Sequence, residues 1–239
     1  MRRILVTGGG SGIGRAVARA FADDGDAVTI TGRHAEALAE TDNGRGMTCR
    51  TSDITDEASV NALFDTPFDV VVANAGTGKV GKVKKTSLAD WNAQLAVNLT
   101  GTFLTFRGAL QGMETGGRLI AIASVASLKG QANIAAYSAA KHGVLGLVRS
   151  LAHEVARDGI TVNAVCPHYV DTPMADRAAA GVAARFDMTQ DEAVAQLVAD
   201  NPVGRLISVD EVASAVRYLA SPDAAMINGH ALSMSGGMV

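Results

Sequence analysis

The chain has 239 residues, 48% of them hydrophobic, and a formal net charge of −3. That length suits one large α/β domain with a substantial core, and the slight acidity argues against nucleic acid or an anionic membrane surface as a partner. Aromatic residues make up only 4% and glycines number 26, so the core is built from Ala, Val, Leu and Ile with many close backbone approaches.

In chain order, "RILVTG" is a short β-rich run ending in glycine. Its apolar part, Ile4 to Val6, is too short for the core of a secretion signal. No run in the chain approaches the roughly 18 apolar residues of a membrane span. Helical spacing starts at Ile13, with Val17, Ala20 and Phe21 on one face. "AVTITG" (27–32) is a second strand, "MTCRTSD" (47–53) a weaker third, and "ASVNALF" (58–64) a helical turn or two. "FDVVVANAG" (68–76) is an apolar strand. A Gly-rich loop carrying Lys79, Lys82, Lys84 and Lys85 follows and reads as solvated surface. A long helix is expected over 87–112, a strand at "RLIAIAS" (118–124), a helix over 134–157 and a sixth strand at "ITVNAVCP" (160–167). Residues 173–200 look helical. A helix begins near Ser208, whose spacing to Glu211 is that of a capping box, and "GHALSMSGG" (229–237) is a last strand.

This alternation predicts a Rossmann-type, doubly wound parallel sheet of about seven strands with helices on both faces. With no repeat and no linker-like tract, residues 1–239 read as one domain. Cys49 and Cys166 belong to no CxxC pair, and no Cys/His group has zinc-ligand spacing. Two reduced thiols, no metal and a cytoplasmic location are expected.

"TGGGSGIG" (7–14) lies directly between the first strand and the first helix. Glycines there permit a sharp turn, let the backbone approach a pyrophosphate and let helix and strand pack closely. The helix N-terminus then offers free N–H groups to an anion. The spacing, G-x-x-x-G-x-G at Gly8, Gly12 and Gly14, differs from both G-x-G-x-x-G and a phosphate loop ending in G-K-S/T. An NAD site sets a carboxylate about 20 residues on, against the ribose 2′-hydroxyl. Here the second strand ends in Gly32 and Arg33. An arginine pairs with a 2′-phosphate, so NADP(H) is expected ahead of NAD(H), unless Arg33 is only a surface charge. Asp53 can accept a hydrogen bond from adenine or cap a helix. Asn74, with Ala75 and Gly76 in "NAG", can hold its loop beside the cofactor or bond within the loop.

"AAYSAAKHG" (135–143) places Tyr137 and Lys141 at i and i+4, on one helix face. A tyrosine hydroxyl ordinarily titrates near pH 10, and a nearby ammonium favours the phenolate. Such a pair suits proton exchange with a carbonyl or alcohol oxygen. Small neighbours leave room for a flat cofactor. Ser124 ends the strand "RLIAIAS", at the strand end where ligands of open parallel sheets bind. Asn98 lies inside a long helix, where Asn is a mediocre helix former, and can disturb it and offer its carbonyl to a water.

With these marks assembled, the sequence resembles the single-domain short-chain dehydrogenase/reductase family over essentially its whole length. "TGGGSGIG", "NAG" at 74–76, Asn98 in "VNLTG", Ser124, "YSAAK" at 137–141, "NAVCP" at 163–167 and "SGG" at 235–237 arrive in that family's order. The resemblance implies hydride transfer between nicotinamide C4 and a carbonyl carbon. It implies Tyr137 as acid/base, Ser124 holding the carbonyl oxygen, and Lys141 binding the nicotinamide ribose and lowering the tyrosine pKa. It implies Asn98 fixing a water next to Lys141. Gly8, Ser11, Gly12, Ile13 and Gly14 would line the pyrophosphate and ribose, Pro167 would contact the cofactor, and Thr172 would contact the nicotinamide carboxamide or the phosphates. It also implies a homotetramer, with interfaces near 98–112, 135–157 and the last strand.

Two departures stand out. The family usually has Pro-Gly after the sixth strand, and this chain has Pro167-His168. His168 narrows the pocket, bonds the substrate, or turns outward. Members that use NADP often carry a basic residue before the second glycine; here Ser11 stands there, leaving Arg33 as the main support for NADP(H). Residues 173–205 would form a lid over the substrate, with Met174 among its apolar contacts. The whole resembles ketoreductases of 3-oxoacyl thioesters and polyketides, with Lys129 and the lysines at 79–85 available to an acidic carrier protein or coenzyme A phosphates. Dehydrogenases of small ketones, sugars or cyclic alcohols remain open. Relatives that bind dinucleotide without turnover lack Tyr, Lys or Ser, and all three are present here.

Overall fold

A computed structural model describes residues 1–239. Seven strands form one sheet in the order β3-β2-β1-β4-β5-β6-β7, every neighbouring pair parallel. They are β1 (Arg3–Thr7), β2 (Ala27–Gly32), β3 (Thr48–Thr51), β4 (Val70–Ala73), β5 (Arg118–Ile122), β6 (Thr161–Pro167) and β7 (Ala231–Met234). The order reverses direction at β1, between β2 and β4. This is the switch point of a doubly wound sheet, where the strand ends leave a crevice.

The central strands are buried on both faces, which is why their sequences are continuous apolar runs. Alternation still sorts them. Ile4 and Val6 of β1, with Ile120 and Ile122 of β5, join one core with Val17 and Phe21 of α1 (Gly12–Asp23) and Val212 and Val216 of α9 (Val209–Leu219). Leu5, Val71 and Leu119 point the other way, into a second core with Phe106 of α5 (Gly101–Leu110) and Val144 and Val148 of α6 (Ala135–Glu154). Arg2 and Arg3 anchor the first strand by ion pairs to Asp26 (2.6 Å) and Asp69 (2.7 Å). The remaining helices are α2 (Ala35–Asp42), α3 (Glu57–Asn61), α4 (Leu88–Leu95), α7 (Pro173–Phe186) and α8 (Gln190–Leu197).

The structure differs from the sequence reading at several boundaries. The expected helix over 87–112 is α4 and α5 joined by a π-helical turn at Ala96–Thr100. The turn centres on Asn98, whose side chain bonds backbone groups in place of continuing a regular surface. The helical stretch 173–200 breaks at Asp187, where φ is +53°. The third strand shrinks to four residues at the sheet edge. The capping box of Ser208 and Glu211 forms as its spacing predicts.

Packing at the switch point leaves no room for a side chain at Gly14. A Cβ there would lie 2.3 Å from the Gly8 carbonyl oxygen and 2.5 Å from Asn74 Nδ2. Gly14→Ala is therefore expected to lower the unfolding free energy by roughly 1–3 kcal/mol, read as a lower urea midpoint with an unchanged slope.

Candidate active site

The loop between β1 and α1 is shaped by glycines that no other residue replaces. Gly8 and Gly12 adopt φ of +65° and +50°, a region open to Gly at no steric cost. A Cβ at Gly8 would meet Ala75 Cα at 2.8 Å. Asn74 locks this loop to the end of β4: its Nδ2 donates to the carbonyls of Thr7 (2.9 Å) and Gly8 (3.1 Å). In return Thr7 Oγ1 accepts from the amides of Asn74 and Ala75, both at 3.1 Å. Both sequence readings of Asn74 thus meet in one set of bonds, since bonding to the loop is what holds it beside the crevice. Arg15 braces the loop from behind, donating to the Gly10 carbonyl at 2.7 Å and to Thr41 Oγ1 at 3.0 Å.

Ser11 is the N-cap of α1, yet its hydroxyl makes no capping bond and the first turn carries no acid. The first amides of α1, from Gly12 and Ile13, have no intrahelical acceptor. Beside them Thr172, the N-cap of α7, sets its methyl 3.0 Å from where a Gly12 Cβ would stand. This cradle of bare backbone at a positive helix end fits a pyrophosphate.

At the far end of the crevice an open cleft of about 290 Å³ is lined by Arg33, Thr51, Ser52, Asp53 and Ser59. Arg33 and Asp53, separated by 20 positions, therefore share one site. Asp53 is not a helix cap; Asp56 caps α3. The Asp53 carboxylate instead accepts from the Thr55 amide (2.9 Å) and hydroxyl (2.7 Å). Those bonds hold its pKa below the usual range, with a smaller contribution from the Arg33 charge.

Ser124, Tyr137 and Lys141 gather where β5 and β6 end. Ser124 caps a short turn, its Oγ accepting from the Ala126 amide at 3.1 Å, so its proton is free to be donated elsewhere. Tyr137 lies in the first turn of α6, and burial, which outweighs the favourable influence of the nearby Ser124 hydroxyl, raises the phenol above its ordinary pKa of 10.0. Lys141, 4% exposed, donates from Nζ to the Ile122 carbonyl at 2.7 Å and lies 5.8 Å from the Tyr137 ring centre. Burial lowers the ammonium from 10.5 to about 8. Lys141 is not among the groups that set the Tyr137 pKa here; desolvation dominates both side chains. Cys166, buried next to them, is pushed up to about 11 by the same cause.

Asn98 is fully buried in the π-helical turn. Its Nδ2 donates to the carbonyls of Thr77 (2.9 Å) and Gln94 (3.0 Å), and its Oδ1 accepts from the Thr77 amide (3.1 Å). Its main-chain carbonyl, expected to face a water, accepts the Thr102 hydroxyl at 3.0 Å. Asn98 thus fixes the strand-end loop after Gly76, and a Cβ on Gly76 would stand 3.0 Å from Asn98 Oδ1 and 3.7 Å from Lys141 Nζ. Pro167 is buried at the end of β6, and His168 is partly buried beyond it. Met174 is 40% exposed with its sulfur near Gly78. The sequence reading missed Thr7, Arg15 and Tyr169, the last close enough for its phenol to influence Tyr137. Thr7 heads the glycine motif and Arg15 directly follows it, but spacing marks neither of them, nor Tyr169, as a site residue; only the assembled crevice reveals their contacts.

A family model described as enoyl-(acyl carrier protein) reductase matches residues 8–239. A cis-4-hydroxycyclohexanecarboxylate dehydrogenase of Sinomonas cyclohexanicum is 39% identical, over 99% of this chain and 96% of its own. The 3-oxoacyl-(acyl-carrier-protein) reductase FabG of Vibrio harveyi is 36% identical, over 98% and 96%. Among solved structures, a variant of actinorhodin polyketide ketoreductase with NADPH superposes with a TM-score of 0.93 at 35% identity, covering 99% of this chain and 97% of that one.

The buried ammonium has a measurable consequence. The folded pKa of Lys141, about 8, lies below its ordinary 10.5, so between these values the unfolded chain binds more protons. Stability then rises with pH across that window. Relative to Lys141→Met, which lacks the group in both states, the wild type is expected to gain on the order of 2–3 kcal/mol between pH 7.5 and 10. Urea denaturation of both proteins at the two pH values checks it; a constant difference would contradict the buried charge.

Proposed function

This chain belongs to the short-chain dehydrogenase/reductase family, and from that premise we propose that it is an NADP(H)-preferring ketoreductase acting on 3-oxoacyl thioesters. The observation that carries the reading is the convergence of Ser124, Tyr137 and Lys141 at the ends of β5 and β6, next to the glycine cradle. The relatives support the substrate class: one is named a 3-oxoacyl reductase and another a polyketide ketoreductase.

In this reading Gly8, Ser11, Gly12, Ile13 and Gly14 hold the pyrophosphate. Asn74, Ala75, Gly76, Pro167 and Thr172 flank the nicotinamide half, and Asp53 meets the adenine. Arg33 pairs with the 2′-phosphate, in agreement with the NADPH that the actinorhodin enzyme's structure contains. When bound, NADPH supplies the hydride for the carbonyl carbon. Ser124 Oγ donates a hydrogen bond to the carbonyl oxygen, since its lone pair is already engaged by Ala126. Tyr137 Oη, kept protonated by its raised pKa, gives its proton to that oxygen as the C=O bond becomes a single bond, yielding a secondary alcohol. The Lys141 ammonium stabilises the phenolate left behind and binds the ribose hydroxyls, and Asn98 holds the adjoining loop. Residues 173–205 act as the lid, Met174 contributing an apolar wall. We include in the proposal a cytoplasmic homotetramer, for which β7 offers a free sheet edge and α5 an exposed Phe103. A second reading, oxidation of a cyclic secondary alcohol, is favoured by the 39% identity to the cyclohexanecarboxylate dehydrogenase.

The first test is NADPH oxidation with an acetoacetyl thioester. Tyr137→Phe is expected to lower kcat by roughly 10²–10⁴ while leaving the NADPH Kd within about twofold; near wild-type turnover would overturn the mechanism. Arg33→Ala is expected to weaken NADPH binding roughly 10-fold or more and NADH binding little, read by fluorescence titration. Equal losses would remove Arg33 from the 2′-phosphate site.

A further inference from the structure

At the edge of the sheet β2 and β3 end side by side, Gly32 level with Thr51, and the Ser52 amide donates to the Gly32 carbonyl at 3.0 Å. Arg33 follows Gly32 directly, and Asp53 follows Thr51 by two positions. Neighbouring strands lie about 4.8 Å apart, a gap that an arginine side chain spans. Both residues are exposed and line the same open cleft. Opposite charges so placed attract each other, yet Arg33 joins none of the chain's ion pairs. The reason lies on the carboxylate.

Asp53 is held by Thr55. Its Oδ1 accepts from the Thr55 amide at 2.9 Å and from the Thr55 hydroxyl at 2.7 Å. The second of these is short and charge-assisted. The root of the side chain is fixed too, since the Asp53 amide donates to Ser59 Oγ at 3.2 Å, and that oxygen lies 3.0 Å from Ser52 Oγ. The two bonds from Thr55 do more than the Arg33 charge to lower the Asp53 pKa. A carboxylate engaged in this way gains less by turning to Arg33. Its Oδ2 stays open to an adenine, and the guanidinium stays open to a phosphate. Released from Thr55, the same carboxylate would neutralise Arg33 and repel any dianion brought to it.

We propose that Thr55 is a positioning residue for cofactor choice: its hydroxyl holds the Asp53 carboxylate away from Arg33 and so keeps the guanidinium free for the 2′-phosphate of NADP(H). This deepens, and rests on, the NADP(H) reading above. Thr55 acts through Asp53 and need touch neither cofactor. NADH carries a 2′-hydroxyl in place of the phosphate and does not depend on an unpaired Arg33. The effect therefore falls on one cofactor and changes the difference between the two affinities, which is what specificity is.

The test is fluorescence titration of NADPH and of NADH into the wild type, Thr55→Val, Thr55→Ser, Asp53→Asn and the Thr55→Val/Asp53→Asn double variant. Valine keeps the shape and the amide and replaces only the hydroxyl; serine keeps the hydroxyl; asparagine keeps the shape of Asp53 and removes its charge. Thr55→Val is expected to raise the NADPH Kd roughly 3- to 10-fold and to leave the NADH Kd within about twofold. Thr55→Ser is expected to bind both cofactors as the wild type does. Added to Asp53→Asn, the valine is expected to change neither Kd, because no charge is left to release. An equal loss for both cofactors would mark Thr55 as a support of the adenine end and overturn the inference. So would an NADPH loss of the same size in the Asp53→Asn background. Unchanged NADPH binding in Thr55→Val would overturn it too, with the NADP(H) reading left standing where the wild type prefers NADPH. A wild type that binds NADH as tightly as NADPH would overturn both.

Discussion

The bond between Lys141 Nζ and the Ile122 carbonyl joins the two halves of the site. It ties α6 to the end of β5 and sets a charge in the interior where nothing anionic answers it. The ammonium stays because a carbonyl dipole and the face of the Tyr137 ring partly replace water. Such a group is costly in the empty protein and valuable once a phenolate forms next to it, since electrostatic interactions strengthen where water is excluded. The small residues around it are the condition for this arrangement. A Cβ on Gly143 would lie 2.8 Å from Leu99 Cδ2, so α6 reaches the π-helical turn, and with it Asn98, only through a glycine.

The second constraint is the reversal of strand order at β1. It puts the ends of β1 and β4 side by side with no crossover between them, and Asn74 fills the seam by bonding two carbonyls of the glycine loop. The carbonyls of that loop are thereby turned toward Asn74, and the amides of α1 are left to the crevice. The chain as a whole carries a net charge of −3. Its crevice is nonetheless positive along its length: the α1 N-terminus, Arg33 at one end and Lys141 at the other. Asp53 is the exception, and its carboxylate is turned into its own loop by Thr55, which leaves Arg33 less fully neutralised than a direct pair would.

The glycine loop was legible in the sequence because its requirements are backbone requirements. Positive φ and close approach demand glycine at 8, 12 and 14, and glycine is visible in a sequence. The i, i+4 spacing of Tyr137 and Lys141 was legible for a similar reason, since helix geometry converts it into a shared face. What was not legible depends on partners distant in sequence. Asn98 in a long helix predicts a disturbance, and the disturbance is there; what a sequence does not show is that its side chain bonds Thr77 and Gln94 and that its main-chain carbonyl accepts the Thr102 hydroxyl. Asp53 was open between adenine and a helix cap, and the cap proved to be Asp56, three residues on. Thr7 looks like any strand residue until Asn74 and Ala75 are brought to it.

The substrate half follows a different logic. The side chains of the loop after Ser124, of His168 and Tyr169, and of α7 and α8 are bound by no backbone rule. α7 and α8 pack through Ala179 and Ala193 and leave Phe186 half exposed, a shallow apolar contact that can shift without disturbing the sheet. Packing differs accordingly between the halves: the glycine loop is tied to buried strands, while α7 and α8 rest on a few small residues. An enzyme built this way keeps hydride donor, Ser124 and Tyr137 in fixed relation whatever enters. Substrate choice then falls to the few groups rooted in the rigid part that also face the lid.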